Sequence, residues 1–405
     1  MNFLPTLPAE IDAFARVALL LISAIAFAQL GERLFRLPRL TGYVVAGLVM
    51  GPSVLNLTPP SVTGDLRPLM LLGLGLLLFE LGSRVNLRWL RSNPMLLASS
   101  LIESGATFAA TYTFLAFFDF PRATCVSVAA IAVSTSPAVI MRIVAENNAR
   151  GQMTQRLLLL SALNCLYAIL LLKIGVAFVH FNQNADPLQA IGHPLYVVCG
   201  SFLLAAAIAY GIHRIRFSQI KRESERFTLV IAIVLLATTI ADHFGLSVPM
   251  ALLCGGILLR TVSQRLHLFP EHFGSAGAML VVVLFALTGV ALDPQQLVIG
   301  GAMSIGLILI RALAKYCGGW LSALRGGLAP NKAAWLGVAL LPMSSLAVLH
   351  AYEVANLYPD FGDDIVAIIL GAVLVMELIG PITTQLALRR AGETAAPRAE
   401  ENDDA

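Results

Sequence analysis

The stretch Ala129 to Val144, AAIAVSTSPAVIMRIV, decides how this chain reads. It is apolar on both flanks and carries Ser134, Thr135, Ser136 and Pro137 near its middle. Proline has no backbone N–H and frees a carbonyl one turn earlier, so a helix running through this stretch is interrupted. The neighbouring hydroxyls then supply replacement hydrogen bonds or ligate an ion. A second stretch, Trp335 to Ala351, WLGVALLPMSSLAVLHA, repeats the pattern with Pro342, Ser344 and Ser345. One such kink is ordinary in a membrane helix. Two of them at similar depth, in matching halves, are the pattern of secondary transporters that bind solute at interrupted helices near the bilayer midplane.

The rest of the chain fits a bilayer. Of its 405 residues, 58% are hydrophobic and 13% charged, where a soluble domain carries about 25% charge. Apolar runs reach the ~20 residues a helix needs to cross. We expect thirteen spans, at about 14–34, 40–57, 67–84, 95–118, 123–144, 157–180, 195–213, 227–243, 247–262, 273–292, 297–323, 332–354 and 363–388. The exits of odd-numbered spans are basic: Arg33, Arg36 and Arg39; Arg84, Arg88 and Arg91; Arg150 and Arg156; the 214–226 loop; Arg260 and Arg265; Arg325 and Lys332; Arg389 and Arg390. Even-numbered exits hold only Arg67 and Arg122. Basic loops stay cytoplasmic. The expected topology therefore has the N-terminus outside and the C-terminus in the cytoplasm, in a multi-pass protein of the inner (plasma) membrane. The first ten residues lack Lys and Arg, so no cleavable signal is expected. Residues 1–390 read as one transmembrane domain and 391–405 as a disordered cytoplasmic tail.

Several classes are excluded. Net charge is +3, too small to indicate nucleic acid. The five cysteines lie in apolar runs without metal-type spacing. No nucleophile–base pair or phosphate loop points to an enzyme, and no cofactor is expected.

LPRLTGYVVAGLVMGPSVL (37–55), LLLFELGSRVNLRWLR (76–91), STSPAV (134–139), DHFGLSVPMALLCGGILLR (242–260), LILIRALAKYCGG (307–319) and VLVMELIGPITTQLALRRAGE (373–393) occur in this order. Together they resemble the monovalent cation/proton antiporter superfamily, in particular the second branch that includes the potassium-efflux antiporters. The resemblance covers nearly all of residues 10–390. It implies an all-α fold of about thirteen helices in two inverted repeats, two broken helices crossing near the midplane, and a homodimer. It also implies a monovalent cation and a proton as the partners exchanged across the lipid bilayer.

The sixth span departs from that family, which places an acid pair or an Asn-Asp, Gln-Asp or Asp-Asp there. Here LLLLSALNCLYAILLL (157–172) puts Cys165 after Asn164, and the carboxylate is missing. Many members also carry Gly-Glu where this chain has Ser344-Ser345. The oxygens left for an ion are those of Thr135, Ser136, Asn164, Ser344 and Ser345, with Cys165 a thiol among them. Ionisable residues inside a bilayer are costly unless paired or hydrated, so Glu103, Glu377, Glu80, Arg311 and Lys315 are the candidates for charge or proton coupling. Arg311 matches the family's buried basic residue and is expected to pair with an acid from another span, Glu103 or Glu377. Lys315 and Lys173 are expected to snorkel, Glu80 to pair with Arg84 four residues on, and His350 to be a packed neutral side chain. These residues support cation/proton antiport with a relocated acid. They leave open a same-fold transporter of another solute or an anion, and a membrane sensor that transports nothing.

Overall fold

The computed structural model describes residues 13–58, 60–182, 187–215, 220, 222–263 and 274–394. Within them every regular element is a helix: α1 (Ala13–Phe35), α2 (Arg39–Met50), α3 (Pro60–Arg84), α4 (Leu87–Ser92), α5 (Pro94–Phe117), α6 (Arg122–Val133), α7 (Pro137–Glu146), α8 (Gln152–Asn182), α9 (Pro187–Arg214), α10 (Glu223–His243), α11 (Val248–Val262), α12 (Gly274–Ala291), α13 (Pro294–Arg325), α14 (Pro330–Ala339), α15 (Ser345–Leu357) and α16 (Pro359–Arg390). Among the described residues seven stretches, the α6–α7 pair counted as one, are long and apolar enough to cross a membrane. Large apolar side chains such as Phe14, Phe117, Leu203 and Val298 are 71% to 85% exposed. A surface of that kind has lipid as its solvent, and the chain is a multi-pass membrane protein.

The packing repeats itself. α2 lies on α12, and α11 lies on α3. Both crossings bring backbones together at facing glycines. A Cβ on Gly47 would sit 2.0 Å from the Ala286 carbonyl, and one on Gly82 would sit 2.2 Å from the Leu253 carbonyl. Gly289 and Gly256 are equally tight against Val44 and Phe79. These small residues let helices approach closely without a side chain between them. α5 packs on α13, and each leads into an interrupted helix: α5 into α6–α7, α13 into α14–α15. α8 and α16 then close the two units. The order α1, α2, α3, α5, α6–α7, α8 is thus matched by α10, α11, α12, α13, α14–α15, α16, with α9 between the two units.

Both interruptions fall where the proline and hydroxyl pattern puts them. Ser134 and Ser136 are extended (ψ 145° and 109°), and Pro137 opens α7. α14 ends at Ala339 and α15 begins at Ser345. Helices overrun the expected spans at several ends, as in α8 (152–182 against 157–180) and α16 (359–390 against 363–388). The tail boundary needs correction: 391–394 are described, and Glu393 is buried against the start of α8. Residues 395–405, the first twelve residues, Arg265, and 216–219 with 221 of the basic loop lie outside the described residues.

Candidate functional site

The two breaks touch. The Ser136 N–H donates to the Pro342 carbonyl at 2.9 Å, Thr135 Oγ1 donates to the Leu340 carbonyl at 3.2 Å, and the hydroxyls of Ser136 and Ser344 are hydrogen-bonded to each other. Interrupting a helix leaves its last carbonyls without N–H partners, and buried carbonyls without donors are costly. Here the carbonyls of Ala132 to Thr135 and of Ala339 to Pro342 are served by side chains or by the opposite break.

Arg311 is the central donor and is 2% exposed. Its Nε donates to the Ala132 carbonyl at 2.8 Å, Nη2 to Ser134 at 2.7 Å, and Nη1 to Leu341 at 2.5 Å. A rigid fork of N–H groups can reach three carbonyls on two elements, where an ammonium on a flexible stem cannot. The positive guanidinium also meets the negative C-terminal ends of α6 and α14. This corrects the expectation that Arg311 pairs with an acid. Among the described residues it has no carboxylate within ion-pair distance; backbone carbonyls take that place.

The acid is held instead by Lys315, one turn further along α13. Its Nζ lies 2.7 Å from Glu103 Oε1 and 3.0 Å from the Val133 carbonyl, and both side chains of the ion pair are 0% exposed. The snorkelling expected of Lys315 is therefore overturned. The cause is local: Gly318 sits against Glu103, where a Cβ would come within 3.0 Å of the Glu103 Cα. α13 and α5 thus approach backbone to backbone and enclose the lysine. Lys173 is ion-paired with Glu353, which also accepts from His350 Nδ1 at 3.2 Å.

Beside this pair a polar chain leads to the breaks. Ser104 Oγ donates to Asn164 Oδ1 at 2.9 Å, and Asn164 Nδ2 donates to Thr135 Oγ1 at 3.1 Å. Ser104 Oγ is also 3.4 Å from Glu103 Oε2, but it has a single hydrogen and spends it on the shorter contact. Glu103 Oε2 is thus left poor in donors. Cys165 stands beside Asn164, and its thiol donates to the Thr135 carbonyl at 3.2 Å. A carboxylate at that position could not donate.

The structure accordingly brings together Thr135, Ser136, Asn164, Cys165, Ser344, Arg311, Lys315 and Glu103. Ser345 opens α15 half-buried. Glu80 stands apart at the end of α3, 2.5 Å from Arg84, the local pair expected for it. Glu377 is 0% exposed on α16, and among the described residues neither of its carboxylate oxygens has a hydrogen-bond partner. Sequence reasoning missed Ser104, Ser161 (3.5 Å from the Thr135 carbonyl) and Thr384 (3.4 Å from the Ala339 carbonyl). Ser104 could have been found from its place beside the mid-span Glu103; single hydroxyls such as Ser161 and Thr384 give no such signal.

The fold agrees with known transporters. Two structures of the sodium proton antiporter MjNhaP1 from Methanocaldococcus jannaschii superpose with TM-scores of 0.69 and 0.72, at 17% and 15% identity. They cover 94% and 95% of this chain and 99% of theirs. The K(+) efflux antiporter 6 of Arabidopsis thaliana is 26% identical over 71% of this chain, which spans about half (50%) of that relative's length. A sequence model of the sodium/hydrogen exchanger transmembrane family matches residues 17–390, and with these geometric features in agreement, the chain belongs to that family.

Proposed function

We propose that this protein exchanges a monovalent cation, sodium or potassium, for a proton, and that the buried Glu103–Lys315 pair is its coupling element in place of the missing aspartate. The observation that carries this reading is the complete burial of the pair at the crossing, beside the Ser104–Asn164 hydrogen bond. A buried ion pair adds little stability over apolar packing, so its presence calls for another use. In one state Lys315 is an ammonium on the Glu103 carboxylate. In the other, the cation replaces Lys315 on Glu103, and the amine gives up its proton. One positive charge enters the pair for each that leaves, so exchange at this pair is electroneutral. Asn164, Thr135, Ser136, Ser344 and Ser345 offer oxygens to the arriving cation in place of water.

The anion reading loses its carrier. An arginine free in a cavity would attract an anion, but the Arg311 guanidinium is spent on carbonyls of both breaks. Purified protein in liposomes, with a pH-sensitive dye, tests the proposal. Sodium or potassium gradients should drive proton movement in wild type and not in Glu103→Gln, while a chloride gradient should drive none. Unchanged exchange in Glu103→Gln rules the acid out. Asn164→Ala should reduce flux without reducing expression.

Counting each interrupted pair as one crossing and setting aside the six-residue α4, the described helices are consistent with thirteen crossings. With the basic loops inside, the N-terminus is extracellular and the two repeats are inverted. A cysteine introduced in the 214–226 loop should be labelled only from the cytoplasmic side of the plasma membrane. A homodimer formed by helices away from the crossing completes the proposed architecture, and native mass spectrometry from lipid discs reads it directly.

A further inference from the structure

Glu377 is the acid that the exchange just proposed does not use. It lies in the middle of α16, fully buried, with both side-chain oxygens unpartnered among the described residues. Pro381 follows four residues later within the same helix and has no N–H to give to the Glu377 carbonyl. A third oxygen of this residue therefore lacks its helical donor.

Its place in the fold follows from register. Thr384 Oγ1 meets the Ala339 carbonyl, and a Cβ on Gly380 would touch Pro342 Cα at 3.1 Å. One turn further along the same face of α16 from Gly380, where a Cβ would touch Pro342 of the second break, stands Glu377.

Basic groups on the elements packed against α16 are already committed. Arg311 is on carbonyls, Lys315 on Glu103, His350 on Glu353, Arg142 on Glu146, Lys332 on Glu393 and Arg39 on Glu32. Arg122 and Arg325 sit at exposed helix ends, and the aspartates and arginines of α16 itself (Asp360, Asp363, Asp364, Arg389, Arg390) lie in its end turns. A lone carboxylate in such a place is too costly to remain charged. It must hold a proton or a cation.

We propose that Glu377 is a second exchange site, a carboxylic acid in the arrangement seen here, that trades its proton for a monovalent cation at the second break. The balance is simple: the carboxyl O–H breaks, the proton leaves, and the cation takes its place on the carboxylate, with the carbonyl freed by Pro381 as a further oxygen at the same residue. The inference deepens the exchange reading and rests on it for the identity of the cation.

Infrared difference spectroscopy of the full-length protein in lipid, recorded with and without added sodium or potassium chloride, tests it. Wild type should show the C=O stretch of a protonated carboxyl that disappears on cation addition. Glu377→Gln should lack that change, Glu377→Asp should show it at a displaced frequency, and Glu103→Gln should keep it. A cation-sensitive carboxyl band that persists undisplaced in both Glu377 variants, or no such band in wild type, overturns the proposal. Proton release on cation addition, followed with a dye, should fall by one proton per chain in Glu377→Gln; unchanged release also overturns it. Failure of the Glu103–Lys315 reading looks different, as coupled flux and proton release untouched in Glu103→Gln.

Discussion

The two broken helices share a backbone plan and differ in their chemistry. At the first break, the carbonyls of Ala132, Val133, Ser134 and Thr135 accept in turn from Arg311, Lys315, Arg311 and the Cys165 thiol. At the second, those of Ala339, Leu340, Leu341 and Pro342 accept from Thr384, Thr135, Arg311 and the Ser136 N–H. Four consecutive carbonyls are served in each case. The first break draws on two cations and the second shares one of them. The acids follow suit: Glu103 has its lysine, and Glu377 has no partner among the described residues. A duplicated scaffold fixes where backbone oxygens must be satisfied, and the side chains chosen to satisfy them decide which half keeps a charge to exchange.

The comparison breaks most severely at Lys315. Removing one partner of a buried pair leaves a lone charge and costs about 3–5 kcal/mol. Lys315→Met should therefore lower thermal stability sharply and abolish coupled flux. Adding Glu103→Leu removes the orphaned charge, so the double variant should recover much of the stability and none of the flux. A double variant as unstable as the single would mean that Lys315 matters chiefly as a donor to Val133. Arg311→Lys comes next. Hydrogen bonds from charged groups are worth roughly 1.5–3 kcal/mol each, and an ammonium can keep contact with only some of these carbonyls. Both breaks should loosen together, visible as faster amide exchange in α7 and α15; loosening of one alone would show that Arg311 does not join them.

The glycine crossings test whether the repeat is mechanical as well as formal. Overpacking a close contact costs typically 1–3 kcal/mol. Gly82→Ala and Gly289→Ala, at corresponding crossings of α3 with α11 and α12 with α2, should lower the melting temperature by similar amounts. A large difference between them would set the halves apart in rigidity as well as in charge.

The breaks were legible because each joins a proline to hydroxyls inside an otherwise apolar run, a signal carried by neighbouring residues. The burial of Glu103, Glu377 and Arg311 was legible from their distance to the span ends. The pairing was not. Arg311 and Lys315 are four apart on one helix face, and only the lateral placement of α5 decides which of them meets Glu103. That placement depends on Gly318, whose lack of a side chain signals nothing until the opposing helix is known. Snorkelling was the wrong expectation for Lys315 because it assumes a lipid-facing stem. Cys165 looked like a lost carboxylate, and its use as a donor to Thr135 appears only once the break between α6 and α7 is in place.

At the cytoplasmic end expected for α8, Glu393 ties the last described turn, which follows α16, to the start of α8 in the first unit. Its carboxylate accepts from the Met153 and Thr154 N–H groups at 3.0 and 2.8 Å and from Lys332 at 2.7 Å. Burial alone would raise the pKa of this carboxyl; the Lys332 and Thr154 and Met153 donors outweigh it and hold the pKa below its usual value. A depressed folded pKa contributes stability above the unfolded value of about 4.3, and that contribution is lost as pH falls through the lower, folded value. Glu393→Gln should cost about 1 kcal/mol at neutral pH, as for other helix-capping groups. It should also flatten the acid limb of the stability profile, and an unchanged acid limb would assign that loss to other carboxylates.

The smallest effect sharpens the comparison most. Ser136 accepts the Val139 N–H at 3.3 Å and so caps α7, whereas Ser344 precedes α15 and makes no side-chain cap. Both hydroxyls also bond each other across the breaks. Loss of an N-cap costs about 1 kcal/mol, so Ser136→Ala removes a cap and the bridge, while Ser344→Ala removes the bridge alone. Ser136→Ala should be the more destabilising of the two, and adding Ser344→Ala to it should cost almost nothing further, because the bridge is already gone. Thermal unfolding of the two single variants and the double closes this cycle. Additive losses would mean that Ser344 stabilises the second break independently of the first. The two breaks would then be separate sites that happen to touch, and the contact between them would not be the means by which an ion at one is felt at the other.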